Sequence, residues 1–169
     1  MSNPDLSRLN ILVVDDNDYM LRILKTIFVA MEISNVRYVR SVKEALQSLK
    51  HDVPDIVITD WEMKPVDGIE FTSFVRGQND ERFNSIPIIL LTGHTEYERV
   101  VTAIKAGVSD VLAKPVSIET LYRRLCRLID ISSLPAEHSS RKGSVTKPEK
   151  EVTLPEDSED DDVEYFDIG

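Results

Sequence analysis

Five short apolar runs, most of them rich in β-branched residues, alternate along the chain with longer stretches whose apolar residues recur every three or four positions. The runs are "NILVVD" (10–15), "NVRYV" (35–39), "DIVITD" (55–60), "IPIILLT" (86–92) and "SDVLA" (109–113), the last being the weakest. Between them the spacing predicts five helices. One covers 17–31, and a second opens at Ser41, where "SVKE" has the spacing of a capping box. A third runs from the cap Asp67 to about Arg76, a fourth ends at Gly107, and the last extends from Ser117 to Ile131 with Ile118, Leu121, Leu125 and Leu128 on one face. Strands alternating with helices imply an α/β domain: a five-stranded parallel sheet, doubly wound, with helices on both faces. Burial on both faces explains why the strands are continuously apolar rather than alternating.

The period stops after Ile131. "SSLPAEHSSRKGSVTKPEK" is rich in Ser, Pro and Lys, and an acidic segment follows, so 1–131 reads as the domain and 132–169 as a disordered tail. The location of charge changes the picture. The chain carries a formal net charge of −10, but residues 151–169 hold nine acids and no Lys or Arg, which leaves the rest nearly neutral. Nothing in the body reads as a nucleic-acid footprint. With 41% apolar and 30% charged residues the composition is that of an ordinary globular protein. No stretch approaches the roughly 18 to 20 apolar residues of a membrane span. The opening "MSNPDLSRLN" lacks the apolar core of a signal peptide, and the lone Cys126 has no internal disulfide partner, so the cytoplasm is the expected compartment.

Two of the strands end on carboxylates, the first on Asp15 and Asp16 and the third on Asp60. In an open parallel α/β sheet, ligands bind beyond the carboxyl ends of the strands. Thr92 closes the fourth strand and Lys114 follows the fifth, so three carboxylates, a hydroxyl and an ammonium group are expected to share one pocket. Clustered carboxylates repel unless a cation intervenes, and a hard, oxygen-seeking ion such as Mg²⁺ is the natural neutraliser. A carboxylate so placed can act as a nucleophile towards phosphorus. Each residue alone has a plainer reading: Asp at a strand end caps a loop, Thr92 before Gly93 makes a turn, and Lys114 before Pro115 is a solvated lysine. The set in this order is what points to phosphoryl transfer onto an aspartate.

"VVDDND", "DWEMKPVDG", "LLTGHT" and "LAKP", in that order over residues 10–131, resemble the receiver domain of two-component response regulators, which has a flavodoxin-like fold. The resemblance implies that Asp60 accepts a phosphoryl group from a phosphohistidine of a histidine kinase or histidine phosphotransfer protein. It also implies that Asp15 and Asp16 hold Mg²⁺, Asp16 directly and Asp15 through water, with the backbone carbonyl of Glu62 as a further ligand beside Asp60. Thr92 would be the switch hydroxyl, and Lys114, before a cis Lys114–Pro115 bond, would pair with the phosphoryl group. An unidentified downstream protein would read the phosphorylated state, or the group would pass onward in a relay.

The chain departs from that pattern in three places. Val111 stands where an aromatic switch residue is usual, Lys64 stands where Pro is common with Pro65 one position later, and the interval from Asp60 to Thr92 is slightly long, the extra residues falling in "GQNDERFNS". Glu62 and His94 each lie two residues beyond a site residue and are placed either to overhang the phosphoryl group or to face solvent. His51 and His138 have no ligand-like spacing.

The first helix has a wide apolar arc of about 160°, from Met20, Leu21, Ile23, Leu24, Ile27, Phe28 and Met31. Met20 and Ile23 are therefore either core residues or contacts for the phosphodonor. Arg123, Arg124 and Arg127 lie opposite the leucines of the last helix, as a solvated face or as one on which the acidic tail folds back. "VEYFDIG" is alternatively a short recognition motif for a partner. Two rival functions remain at this point: a small phosphohydrolase working through an aspartyl phosphate, and a pseudo-receiver that binds partners with an idle site.

Overall fold

The computed structural model describes residues 5–132, with side chains to residue 129. The expected disordered tail, its acidic run and "VEYFDIG" lie outside the described residues, except that Ser132 closes the last helix. After a short 3-10 turn at Leu6–Arg8, the chain builds β1 (Ile11–Val14), α1 (Asp18–Ala30), β2 (Val36–Val39), α2 (Val42–His51) and β3 (Ile56–Asp60). It continues with α3 (Gly68–Arg76), α4 (Glu81–Asn84), β4 (Ile88–Thr92), α5 (Tyr97–Lys105), β5 (Asp110–Ala113) and α6 (Ile118–Ser132). The strands form one parallel sheet in the order β2-β1-β3-β4-β5. This is the doubly wound α/β architecture that the hydrophobic pattern implies.

Strand periodicity sorts the core into two faces. Ile11, Val13, Ile56, Ile58, Ile89 and Leu91 pack against Leu24, Ile27 and Phe28 of α1 and Leu121, Leu125 and Leu128 of α6. Their neighbours Leu12, Val14, Val57 and Ile88 face Val42, Ala45 and Leu49 of α2 and Phe71 and Val75 of α3. Leu90 meets Ala103 of α5. Caps at the helix starts fix where each chain segment turns. Asn17 caps α1, Ser41 caps α2, and Asp67 makes a capping box with Glu70 at α3.

The structure decides or refines four expectations. Met20 and Ile23 are partly buried against the core, which accounts for the wide arc of α1 without a partner. Ile118, the first residue of α6, is 47% exposed and does not share the buried face of Leu121, Leu125 and Leu128. Arg124 and Arg127 do not form a free basic face: both reach Asp110 Oδ2, at 3.3 and 3.0 Å. The long interval between Asp60 and Thr92 holds the short helix α4, tied back by Arg76. That side chain donates to the carbonyl oxygens of Gly107, Phe83 and Ile86 at 3.0, 3.1 and 2.7 Å. It therefore binds the end of α3, α4 and the turn before β5 to the start of β4.

Candidate functional site

Parallel register brings the site together. Val14 pairs with Thr59 and Thr92 with Ala113, so Asp15 and Asp60 follow side by side, and Thr92 and Lys114, the residue after its partner, emerge at the same end of the sheet. Asp15 and Asp60 are buried, and Asp16 is exposed at the rim. One carboxylate oxygen from each of Asp15, Asp16 and Asp60 lies within 4.8 Å of the other two. Lys114 Nζ is 2.6 Å from Asp60 Oδ1 and 3.8 Å from Asp15 Oδ2. The backbone holds this arrangement, since Lys114 N donates to Thr92 O at 2.8 Å and Trp61 N to Leu91 O at 2.9 Å. Lys114–Pro115 is cis, as the resemblance implies, and Lys64–Pro65 is cis as well.

The residues suit a divalent cation on two grounds visible in the structure. Asp15 Oδ2 is sealed from solvent without a hydrogen-bond partner, and a buried carboxylate oxygen left in that state is costly. Three carboxylates against one ammonium group also leave an excess of negative charge, which an oxygen-seeking cation offsets. Burial pushes the Asp15 carboxyl up to about 6 from an ordinary 3.8; the charge of Asp60 adds to the rise, while the Asn17 backbone N–H, which donates to Asp15 Oδ1 at 2.8 Å, and Lys114 oppose it.

A stability prediction follows from that shift. The folded state holds a proton on Asp15 that the unfolded state has already lost, so this stabilisation is present at low pH and is lost as pH rises through about 6. Denaturant titrations of the metal-free protein are expected to show Asp15→Asn gaining about 1 kcal/mol on the native chain between pH 5 and pH 7.5. Parallel profiles for the two proteins would contradict this origin of the shift.

Thr92 is buried, and its hydroxyl is engaged within its own loop, donating to His94 O and accepting from His94 N, both at 3.0 Å. The Glu62 side chain is exposed, with Oε1 3.6 Å from His94 Nε2 and 3.5 Å from Arg99 Nη2. Two further residues at the site were not singled out by the sequence. Arg99, in the first turn of α5, stacks its guanidinium carbon 4.3 Å above the ring of Trp61. Gly68, which opens α3, donates its N–H to Trp61 O at 2.9 Å and stands where any Cβ would collide with the Asp60 carbonyl oxygen. For Gly68, the Asp-Gly pair after the acceptor loop was the available clue.

Residues 11–126 match the family described as the response regulator receiver domain. The chain belongs to that family. This receiver domain is 34% identical over 118 residues to the chemotaxis protein CheY1 of Helicobacter pylori, an alignment covering 69% of this chain and 94% of the relative. It is 30% identical over 122 residues to the chemotaxis protein CheY-3 of Vibrio cholerae, covering 72% and 92%. Among solved structures it resembles the receiver domain of the sensor histidine kinase PA1611 of Pseudomonas aeruginosa, determined with a magnesium ion coordinated in the active site cleft. That match has a TM-score of 0.65 at 27% identity, over 72% of this chain and 98% of the other. Receiver domains of this kind serve two-component signalling, in which histidine kinases are their partners. Among the described residues, no helix is long and apolar enough to cross a membrane.

Proposed function

We propose that Asp60 is the phosphoacceptor of this receiver domain and that the chain signals through a reversible aspartyl phosphate. The observation that carries this reading is the contact of Lys114 Nζ with Asp60 Oδ1 at 2.6 Å beside the orphaned oxygen of Asp15. A buried carboxylate is thereby presented with a cation for an incoming phosphoryl oxygen. An Asp60 oxygen attacks phosphorus in line, the new P–O bond forms as the bond from phosphorus to the donor imidazole nitrogen breaks, and the imidazole leaves with the electron pair. Lys114 follows an equatorial phosphoryl oxygen through the transfer and keeps it neutralised. Asp15, Asp16, Asp60 and the Glu62 backbone carbonyl would hold Mg²⁺, which when bound stabilises charge on the attacking and transferred oxygens. Thr92 supplies a hydroxyl to the phosphorylated state.

The donor in this reading is a histidine kinase or a histidine phosphotransfer protein, met in the cytoplasm. The output is a protein contact that depends on phosphorylation, or onward relay. The domain boundary near residue 131, with the acidic segment beyond it, belongs to the same reading.

Intact mass after incubation with acetyl phosphate tests it. One added phosphoryl group is expected in the native chain, and none without Mg²⁺ or in Asp60→Ala. Continuous consumption of the donor without an adduct would instead make the chain a phosphohydrolase. An untouched donor, with the fold intact, would make the site idle.

A further inference from the structure

We propose that Arg99 is a positioning residue: through Glu62 and Trp61 it sets how readily Thr92 leaves its resting hydrogen bonds when Asp60 is phosphorylated. This rests on the phosphoacceptor reading of Asp60 and concerns how the event is sensed in a chain whose β5 carries Val111 rather than an aromatic.

The hydroxyl of Thr92 has one proton, and His94 O accepts it. To donate to a phosphoryl oxygen, Thr92 must give up that bond, so whatever fixes His94 opposes the move. The His94 ring lies between two carboxylates: its Nε2 is 3.6 Å from Glu62 Oε1 and its Nδ1 3.5 Å from Glu96 Oε1. Arg99 Nη2 reaches the same oxygen of Glu62 at 3.5 Å. The imidazole is cationic only when protonated, whereas the guanidinium is charged at any working pH, so Arg99 is the permanent cation of the group.

Trp61 decides where that cation sits. The ring directly follows Asp60 in sequence, is 8% exposed, and has the guanidinium carbon 4.3 Å above it. Arg99 Nε is sealed from solvent with no acceptor. A guanidinium held by its own hydrogen bonds would not leave that donor unpaired, so the flat face of the ring is what orients it. The result is a strap from the loop after β3 to the first turn of α5, which the His94 ring of the Thr92 loop meets at Glu62.

A phosphoryl group on Asp60 adds roughly 1.5 to 2 negative charges one residue from Trp61 and offers new acceptors to Thr92. Opening of the strap then moves Arg99, and with it α5. On β5, Val111 is half-buried and lines an open groove of about 630 Å³ together with Val100, Ile104 and Val116, so no ring is present there to rotate. Ile104, near the other end of α5, is 61% exposed. Motion of α5 therefore reaches the surface without an intermediary on β5.

The experiment compares rates of labelling by acetyl phosphate at saturating Mg²⁺, a reaction in which the Asp60 carboxylate gains the phosphoryl group and acetate departs. Extent is read by intact mass and rate by emission of Trp61, the single tryptophan of the chain. Arg99→Ala is expected to label about fivefold faster than the native chain, from loss of an exposed ion pair and a cation–π contact. Glu62→Gln, which keeps its backbone carbonyl, is expected to accelerate labelling as well. The double variant is expected to be no more than about twofold faster than the quicker single one, because both residues act through one contact. Arg99→Lys, which keeps the charge without the flat face, is expected to fall between native and Arg99→Ala at an unchanged melting temperature. Equal rates, or effects that multiply in the double variant, would overturn the strap while leaving Asp60 as acceptor. A native chain that takes up no phosphoryl group would remove the acceptor reading and the strap with it.

Discussion

Replacing Lys114 by Met is expected to slow phosphoryl uptake at Asp60 by about 10²-fold, the usual cost of deleting one preorganised group aimed at developing charge. Lys114 Nζ lies 2.6 Å from Asp60 Oδ1 and 3.8 Å from Asp15 Oδ2, with its side chain 24% exposed. Among the described residues, it is the one lysine or arginine whose charged group lies within 4 Å of a carboxylate oxygen of Asp15, Asp16 or Asp60. Methionine preserves the length and most of the volume of the side chain, so the variant removes charge rather than packing. The measurement is the rate of adduct formation by intact mass at saturating Mg²⁺, with a thermal melt run in parallel. A rate within threefold of native, in a folded variant, would show that the ion pair holds the resting site together without contributing to transfer.

Gly68→Ala is expected to destabilise the domain by about 3 kcal/mol, at the upper end of what overpacking usually costs. A Cβ at this position would overlap the Asp60 carbonyl oxygen and stand 2.8 Å from Leu90 Cδ1. Neither obstacle gives way cheaply. The carbonyl belongs to a central strand, and Leu90 is fully buried on its neighbour. Relief therefore requires α3 to lift off the sheet, carrying with it the Gly68 N–H that Trp61 O accepts at 2.9 Å. Denaturant unfolding reads the loss directly, and the labelling rate should fall with it because the acceptor loop is what shifts. A loss below about 1 kcal/mol would mean that the first turn of α3 adapts more easily than this packing suggests.

What the sequence revealed follows from the range of each interaction. The strands were readable because runs such as "ILVV" and "IVIT" are both β-prone and continuously apolar, which only a sheet covered on both faces accommodates. The convergence of Asp15, Asp16, Asp60 and Lys114 was readable for a related reason: parallel strands put all their carboxyl ends on one side, so a polar residue at each end needs no further information to find the others. Helix α4 was not readable, since four residues hold barely one turn and show no period. Nor could any local pattern connect Arg99 to Trp61, or Arg124 and Arg127 to Asp110, because those pairs are made by tertiary packing across 14 or more residues. Ile118 shows the limit of helical spacing: its position matches the buried stripe, yet as the first residue of α6 it stays 47% exposed while Leu121 is fully buried.

The clamp made by Arg76 has a consequence for how this chain tolerates change in length. Asp60 is placed opposite Leu91 by the pairing of β3 with β4, and the segment holding α4 joins the sheet at the other end, where Arg76 fastens it to the Phe83 and Ile86 carbonyls. Distance along the chain and distance across the site are thereby uncoupled. Lengthening such a connection costs only the entropy of closing a larger loop, about 0.6 kcal/mol for each doubling. The stretch at residues 77–85 is thus the natural place for this lineage to acquire or shed residues, leaving the geometry around Asp60 to be inherited unchanged.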